Sequence, residues 1–445
     1  MKQIKCFIAI LIVLGVILSG CLEEQPQQQQ PVKTIEELAI DIVSLLMKNN
    51  FSGVYSFFDS SISSQITAEE FAGIWEQQVI PSHGTILGIV KTRVSNESVY
   101  SVVYVTCNFS EVDTLDVKIL FNSERKVVSL LVVPAQEEFQ YTPPSYVDLS
   151  LFTEEEVVIG SGKWMLPGTL TIPNGKGPFP AVVLVHGSGP NDRDETYGPN
   201  KPFKDIAWGL ASQGIVVLRY EKRTKQYPNE SAAIDNFTVE DETIDDALAG
   251  VDLLNNSVDV NHSDILILGH SLGGMLAPQI ALQDDRIAGL IILAGPTRPL
   301  EDLLLEQTQY LANLSGINQS NEIASIKDMV EKIKNLDINE SELVLGAPKS
   351  YWVYLSIYDP VVTAQSLLIP MLILQGKRDY QVTMIDFARW NDTFSRRSSV
   401  KLLNYQFLNH FFIAGTGVPN NSEYLIEGHV DEEVILDISN WIKNI

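Results

Sequence analysis

The sequence predicts an α/β protein in two folded parts: a small α+β domain, then a larger domain on a doubly wound, mostly parallel sheet with a helical insertion. Three observations predict it. Short β-branched runs separated by Asn, Glu, Ser and Asp fill residues 85–133, the spacing of antiparallel hairpins. Farther on, Ala181–Val185, Ile215–Leu218, Ile265–Leu268, Leu290–Leu293 and Met371–Leu374 are apolar without alternation, so each needs cover on both faces. Helix-length segments separate those runs, as crossovers between parallel strands require. With 445 residues the chain has ample length for two or three domains.

Residues 1–20 stand apart. Lys2 and Lys5 precede an apolar run from Phe7 to Leu18, too short for a ~30 Å hydrocarbon core and shaped like a secretory signal. The run closes on Leu18-Ser19-Gly20-Cys21, which resembles the lipobox of prokaryotic lipoproteins. That resemblance implies a lipidated Cys21 as the mature terminus, anchoring the protein to the outer side of the cell membrane, extracytoplasmic. An uncleaved anchor or a plain secretory signal are the alternatives. Residues 21–32, with Gln27 to Gln30 between Pro26 and Pro31, have nothing to bury and read as a tether. Cys107 lies in a Tyr/Val-rich strand pattern and reads as a small buried hydrophobe, neither nucleophile nor metal ligand.

Residues 33–135 form the small α+β domain. Ile35, Leu38, Ile42, Leu45 and Leu46 recur at helical spacing, and Ala68–Val79 can make another helix. Thr85–Arg93, Ser98–Asn108, Asp113–Phe121 and Lys126–Val133 are its strands. Helices packed on one side of an antiparallel sheet loosely resemble the nuclear-transport-factor-2 fold, and the absence of an ionisable cluster favours an accessory role. Residues 136–153, with Tyr141-Thr142-Pro143-Pro144-Ser145, make the linker. In the large domain, 154–445, Thr153–Ile159 and Lys163–Ile172 read as a strand pair turned at Gly160-Ser161-Gly162. Phe203–Gln213 and Val239–Leu254 read as helices, the second with acids in its first turns where the helix dipole favours them. Ligands are expected at the carboxyl ends of the parallel strands.

The sharpest feature is Gly269-His270-Ser271-Leu272-Gly273, after the apolar Ile265–Leu268 and before Gly274-Met275-Leu276-Ala277. A G-x-S-x-G placed between strand and helix forces the serine into a strained turn, and glycines two before and two after remove clashing side chains. Such a turn lifts Oγ clear of the sheet beside a helix N-terminus, so Ser271 reads as a nucleophile. An ordinary polar turn is the bland alternative.

From about Val157 to Ile445, roughly two thirds of the chain, these features resemble an α/β-hydrolase of the dienelactone-hydrolase/serine-peptidase-like branch, here fused to a small N-terminal domain as in some prokaryotic lipoproteins. The resemblance implies that the loop His186-Gly187-Ser188-Gly189-Pro190 supplies an oxyanion donor from the N–H of Ser188, with the N–H of Leu272 as the second. Gly187 and Gly189 let that loop fold over the substrate, and His186 braces it. Asp192, Arg193 and Asp194 read as a mutually paired network at the pocket mouth. Asp379, past the Met371–Leu374 run, fits the orienting acid, with Asp386 at the start of a helix as the fallback. His410, in Leu408-Asn409-His410-Phe411, fits the base, with His429 before the final helix as its rival. Helices at about 297–365 resemble a lid, in which Tyr351, Trp352, Tyr354 and Tyr358 mostly pack on the core while one or two wall the acyl pocket.

The expected activity is therefore a serine hydrolase that cleaves carboxylic ester, thioester or lactone bonds of a small-molecule acyl substrate through an acyl-enzyme on Ser271. An aminopeptidase or acylaminoacyl-peptidase-like activity, or a noncatalytic binding lipoprotein, are the rivals. No cofactor or metal is called for, since H-E-x-x-H, paired C-x-x-C and G-x-G-x-x-G at a strand end are all missing. A net charge of -25 repels phosphate backbones and excludes a general nucleic-acid partner.

Overall fold

The computed structural model describes residues 33–97, 100–112, 114–135, 141–315, 320–340 and 342–445. Residues 1–32, where the sequence leads one to expect a lipoprotein signal, the lipidated Cys21 and a tether, lie outside the described residues. The chain divides into two compact units, one ending at Ala135 and the other beginning at Gln136.

In the first unit the helix Ile35–Met47 starts at a capping box. The Thr34 hydroxyl accepts from the Glu37 N–H while the Glu37 carboxylate accepts from the Thr34 N–H. Thr67 and Glu70 repeat the device at Ala68–Ile74. Strands β1 (Ile86–Glu97), β2 (Tyr100–Phe109), β3 (Thr114–Phe121) and β4 (Val127–Pro134) pair antiparallel in that order. Ala39, Ile42, Val43 and Leu46 share one core with Val103, Val105, Val117 and Ile119. Cys107 is fully buried in the same core, where burial pushes its thiol up to about 12.

The second unit is built on eight strands: β5 (Phe152–Ile159), β6 (Leu166–Pro173), β7 (Phe179–Val185), β8 (Val216–Tyr220), β9 (Val260–His270), β10 (Ile287–Leu293), β11 (Met371–Gly376) and β12 (Val400–Tyr405). Their order is β12-β11-β10-β9-β7-β8-β6-β5. The first six run parallel, and β6 and β5 complete the sheet antiparallel. Alternate residues of each central strand enter different cores. Val183, Ile265, Ile267 and Ile292 join one, whereas Val182, Leu184, Leu266 and Leu268 join the other. Helices Asp245–Asn255 and Leu272–Gln283 cover the first face, and Pro202–Ser212 and Glu432–Ile442 the second. Apolar runs without alternation follow from this two-sided burial.

One local reading changes. Val239–Leu254 opens with a π-helical turn, Glu240–Ile244, before the α-helix Asp245–Asn255. The insertion between β10 and β11 holds the helices Leu300–Ser315, Ser320–Lys334, Lys349–Ile357 and Pro360–Ser366. Pro360 starts the last of these. A first-turn proline has no N–H to satisfy, and the Asp359 carboxylate accepts from the Val361 and Val362 N–H groups.

Candidate active site

At the end of β9, Ser271 adopts φ 52° and ψ -118°, a left-handed conformation that side chains seldom tolerate, and the helix Leu272–Gln283 follows at once. The turn is tight. A Cβ on Gly269 would stand 2.2 Å from the Gly273 carbonyl oxygen, and one on Gly273 would stand 2.2 Å from that of Val185. The Ser271 N–H donates to the Leu293 carbonyl at 2.9 Å, fastening the turn to β10.

Asp379 and His410 come from the loops after β11 and β12. Asp379 Oδ1 accepts from the N–H groups of Gln381 (2.8 Å) and Val382 (2.9 Å). Its Oδ2 accepts from Gln375 Nε2 at 3.1 Å and lies 2.7 Å from His410 Nδ1. With the carboxylate as acceptor, Nδ1 is the donor, and neutral His410 presents Nε2 as a lone pair. Asn409 Oδ1 holds the loop by accepting from the Phe411 and Ile413 N–H groups. Ser271, His410 and Ser188 border one cavity of about 370 Å³. Ser271 Oγ makes no hydrogen bond to the imidazole among the described residues, so the two side chains share the cavity without yet being joined.

The loop after β7 forms the opposite rim. His186 is buried, which pushes its imidazole down to about 4; the neutral ring donates from Nε2 to the Asp192 carbonyl at 3.1 Å and lies between Phe203 and Tyr220. Ser188 lines the cavity, and neither its N–H nor that of Leu272 has a partner among the described residues. Among the described residues, Arg193 forms no ion pair with Asp192 or Asp194, contrary to expectation. Arg193 binds Glu156 and Glu221, Asp194 binds Lys201 and the buried Arg219, and Asp192 Oδ1 accepts from the backbone of Asp194 and Thr196. Acids on β5 and after β8 outcompete sequence neighbours, since strand pairing brings them closer.

Two rival residues lie elsewhere. Asp386 is fully buried and gathers the Thr297 N–H and hydroxyl and the Arg298 guanidinium, which fastens the start of the insertion. His429 Nδ1 lies 3.1 Å from Asp205 Oδ1, and its ring meets the edge of Tyr141; it does not line the cavity. The insertion's aromatic residues do not line it either. Tyr351 bonds Glu242, Trp352 the Val344 carbonyl, Tyr354 Glu240 and Tyr358 the Met275 carbonyl. Leu300, Leu303 and Leu304 provide the apolar wall instead.

Sequence reasoning missed Glu195 and His270. Both are about 5% exposed, and His270 Nδ1 lies 2.9 Å from Glu195 Oε2. Burial opposes charge on both groups, yet each sustains it on the other: Glu195 is held below the usual carboxyl range and His270 above the usual imidazole range. His270 Nε2 donates to the His410 carbonyl at 2.9 Å, and Glu195 Oε1 accepts from the Gly187 N–H at 2.7 Å. The pair thus links the loop after β7 to the loop carrying His410. Glu195 sits at φ 52° eight residues past Gly187, with no motif around it, while His270 occupies a position any residue may fill in G-x-S-x-G. No group of three or more His, Cys, Asp or Glu among the described residues is arranged to hold a metal ion.

Comparison with known proteins identifies the family. The alpha/beta hydrolase family model matches residues 182–383, and a model described as a protein of unknown function, DUF3887, matches residues 39–130. The chain is 38% identical over 431 residues to Esterase EstD of Thermotoga maritima, covering 96% of this chain and 97% of that one. Among solved structures, Est1E from Butyrivibrio proteoclasticus is 16% identical with a TM-score of 0.43, covering 65% of this chain and 99% of its own. The acylaminoacyl peptidase of Pyrococcus horikoshii is 15% identical with a TM-score of 0.47, covering 81% and 51%.

Proposed function

From the premise that the chain belongs to the α/β-hydrolase family, we propose that it is a serine esterase working through an acyl-enzyme on Ser271. The observation that carries this reading is a strained serine bordering one cavity with a carboxylate-held imidazole and unpartnered amides. The full-length likeness to an esterase supports the bond cleaved.

His410 Nε2 takes the Ser271 proton as Oγ bonds to the ester carbonyl carbon, and the carbonyl π pair moves onto oxygen. The N–H groups of Ser188 and Leu272 stabilise that oxyanion. Collapse expels the alcohol oxygen, which takes the proton from His410. Water then repeats the sequence, releasing the acid and restoring the serine. Asp379 keeps the imidazole in the required tautomer and stabilises the imidazolium without being protonated. The serine–imidazole hydrogen bond forms as substrate binds, since catalytic hydrogen bonds are often completed only in the substrate complex.

The cavity also supports an uncharged substrate. Among the described residues Glu195 is the one acid on its lining, and it is already engaged by Gly187 and His270. An amino terminus has no free carboxylate to meet there among the described residues. Parallel assays of short p-nitrophenyl esters and aminoacyl anilides test the reading. Esters turned over by wild type and not by Ser271→Ala support it; anilides cleaved faster than esters would replace it with a peptidase.

Residues 1–21 support a location outside the cytoplasm on a lipidated Cys21. Metabolic labelling with a tagged fatty acid should mark wild type and leave Cys21→Ser unmarked and released from membranes.

A further inference from the structure

The peptide unit joining Gly187 to Ser188 has two polar ends. Its N–H is the proposed Ser188 oxyanion donor. Its carbonyl, on the opposite side of the same trans planar unit, accepts from Lys222 Nζ at 2.8 Å and from Asn191 Nδ2 at 3.1 Å. Lys222 follows the carboxyl end of β8, next to β7 in the sheet, and is only 1% exposed. An ammonium so placed needs a counter-charge, and Glu242 Oε1 provides it at 2.6 Å. Glu242 Oε2 in turn accepts from Tyr351 on the insertion helix Lys349–Ile357, at 2.8 Å. On the other side of Gly187, its own N–H is held by Glu195. Buried charged groups thus grip this residue at both ends.

We infer that Lys222, held by Glu242, is a positioning residue of the oxyanion site, aiming the Ser188 N–H into the cavity and polarising it through the Gly187 carbonyl. Drawing electron density toward the carbonyl oxygen makes the N–H of the same amide a stronger donor, because linked hydrogen bonds reinforce one another in a low-dielectric interior. The benefit grows with the charge on the acceptor, so it favours the tetrahedral oxyanion over the neutral ester and acts on kcat more than on KM. The inference rests on the acyl-enzyme reading above.

The test uses the double variant Lys222→Met/Glu242→Gln, which removes both buried charges together. Its probes are a p-nitrophenyl butyrate assay, an aryl trifluoromethyl ketone and the matching methyl ketone. The fluorinated ketone takes the Ser271 oxygen at its carbonyl carbon, gives the serine proton to His410, and leaves an oxyanion at the site; the methyl ketone binds without that charge. Expected are a loss of about tenfold or more in kcat with KM within about twofold, an equal weakening of the fluorinated ketone, and unchanged binding of the methyl ketone. Both ketones weakening alike, or neither, overturns the role. Should the double variant fail to fold, Asn191→Ala tests the same peptide unit, since it removes a neutral loop donor that the Gly187 carbonyl shares with the Ser188 carbonyl, each at 3.1 Å. It should lose two- to fourfold in kcat, roughly, with the same split between ketones, and an unchanged kcat overturns the role. Wild type that neither hydrolyses the ester nor binds the fluorinated ketone more tightly than the methyl ketone sinks the acyl-enzyme reading along with it. Wild type that does both, beside unaltered variants, sinks only the part given to Lys222.

Discussion

The large domain carries two histidine–carboxylate pairs with similar chemistry and different surroundings. His410 and Asp379 meet at 2.7 Å, their side chains 4% and 0% exposed, at the rim of a cavity that also holds Ser271. His429 and Asp205 meet at 3.1 Å with the imidazole 28% exposed, and the same carboxylate accepts from the Tyr141 hydroxyl and the Val430 N–H. The second pair joins residue 141, the helix Pro202–Ser212 and the entry to the final helix, and among the described residues it bonds no serine. A carboxylate beside an imidazole is therefore not yet a base. What distinguishes the first pair is an open Nε2 on a cavity floored by a strained serine.

Substitutions break the comparison most sharply at the histidines. His410→Ala should lower kcat/KM for short esters by about 10³- to 10⁴-fold with the fold intact, while His429→Ala should stay within about twofold of wild type. The reverse pattern would move the base to His429. At the carboxylates the difference becomes one of kind. Asp379→Asn should lower kcat by about 10²-fold or more, whereas Asp205→Asn should leave kcat alone and cost about 2 kcal/mol of unfolding free energy by weakening charged hydrogen bonds. Thermal melts beside initial rates separate the two.

The smallest expected effect is on pH dependence. Hydrogen bonding to Asp205 raises His429 above its ordinary value of 6.5, though partial burial opposes the shift. A proton held more tightly in the folded than in the unfolded state stabilises the fold fully below the unfolded pKa, and that stability is lost as pH rises through the folded pKa. Wild type should thus be stabilised over His429→Gln near about pH 5.5, with the gap closing toward about pH 8.5. Parallel melting curves across that range would dissociate His429 from Asp205 energetically.

What was legible in the sequence follows from the same contrast between pattern and surroundings. The parallel strands could be read because burial on both faces leaves unbroken apolar runs, and Ser271 because its turn demands Gly269 and Gly273 at fixed offsets. The two histidine candidates both lie in loops near the end of the chain, and spacing alone could not say which loop faces the serine. Buried charge was harder still. Arg219, Lys222 and Arg223 stand in Arg219-Tyr220-Glu221-Lys222-Arg223, which reads as a solvated stretch, yet all three are under 5% exposed and paired with Asp194, Glu242 and Asp246 from other segments. Such partners lie 20 to 25 residues away and leave no local periodicity.

Fluorophosphonate labelling followed by peptide mass mapping tests the central claim most directly, since a serine bonds to the reagent only when a neighbouring base takes its proton. The expected result is one adduct on Ser271 in wild type and in His429→Ala, and its loss in His410→Ala. An unlabelled Ser271 in folded wild type, or labelling that survives His410→Ala and disappears with His429→Ala, would contradict it.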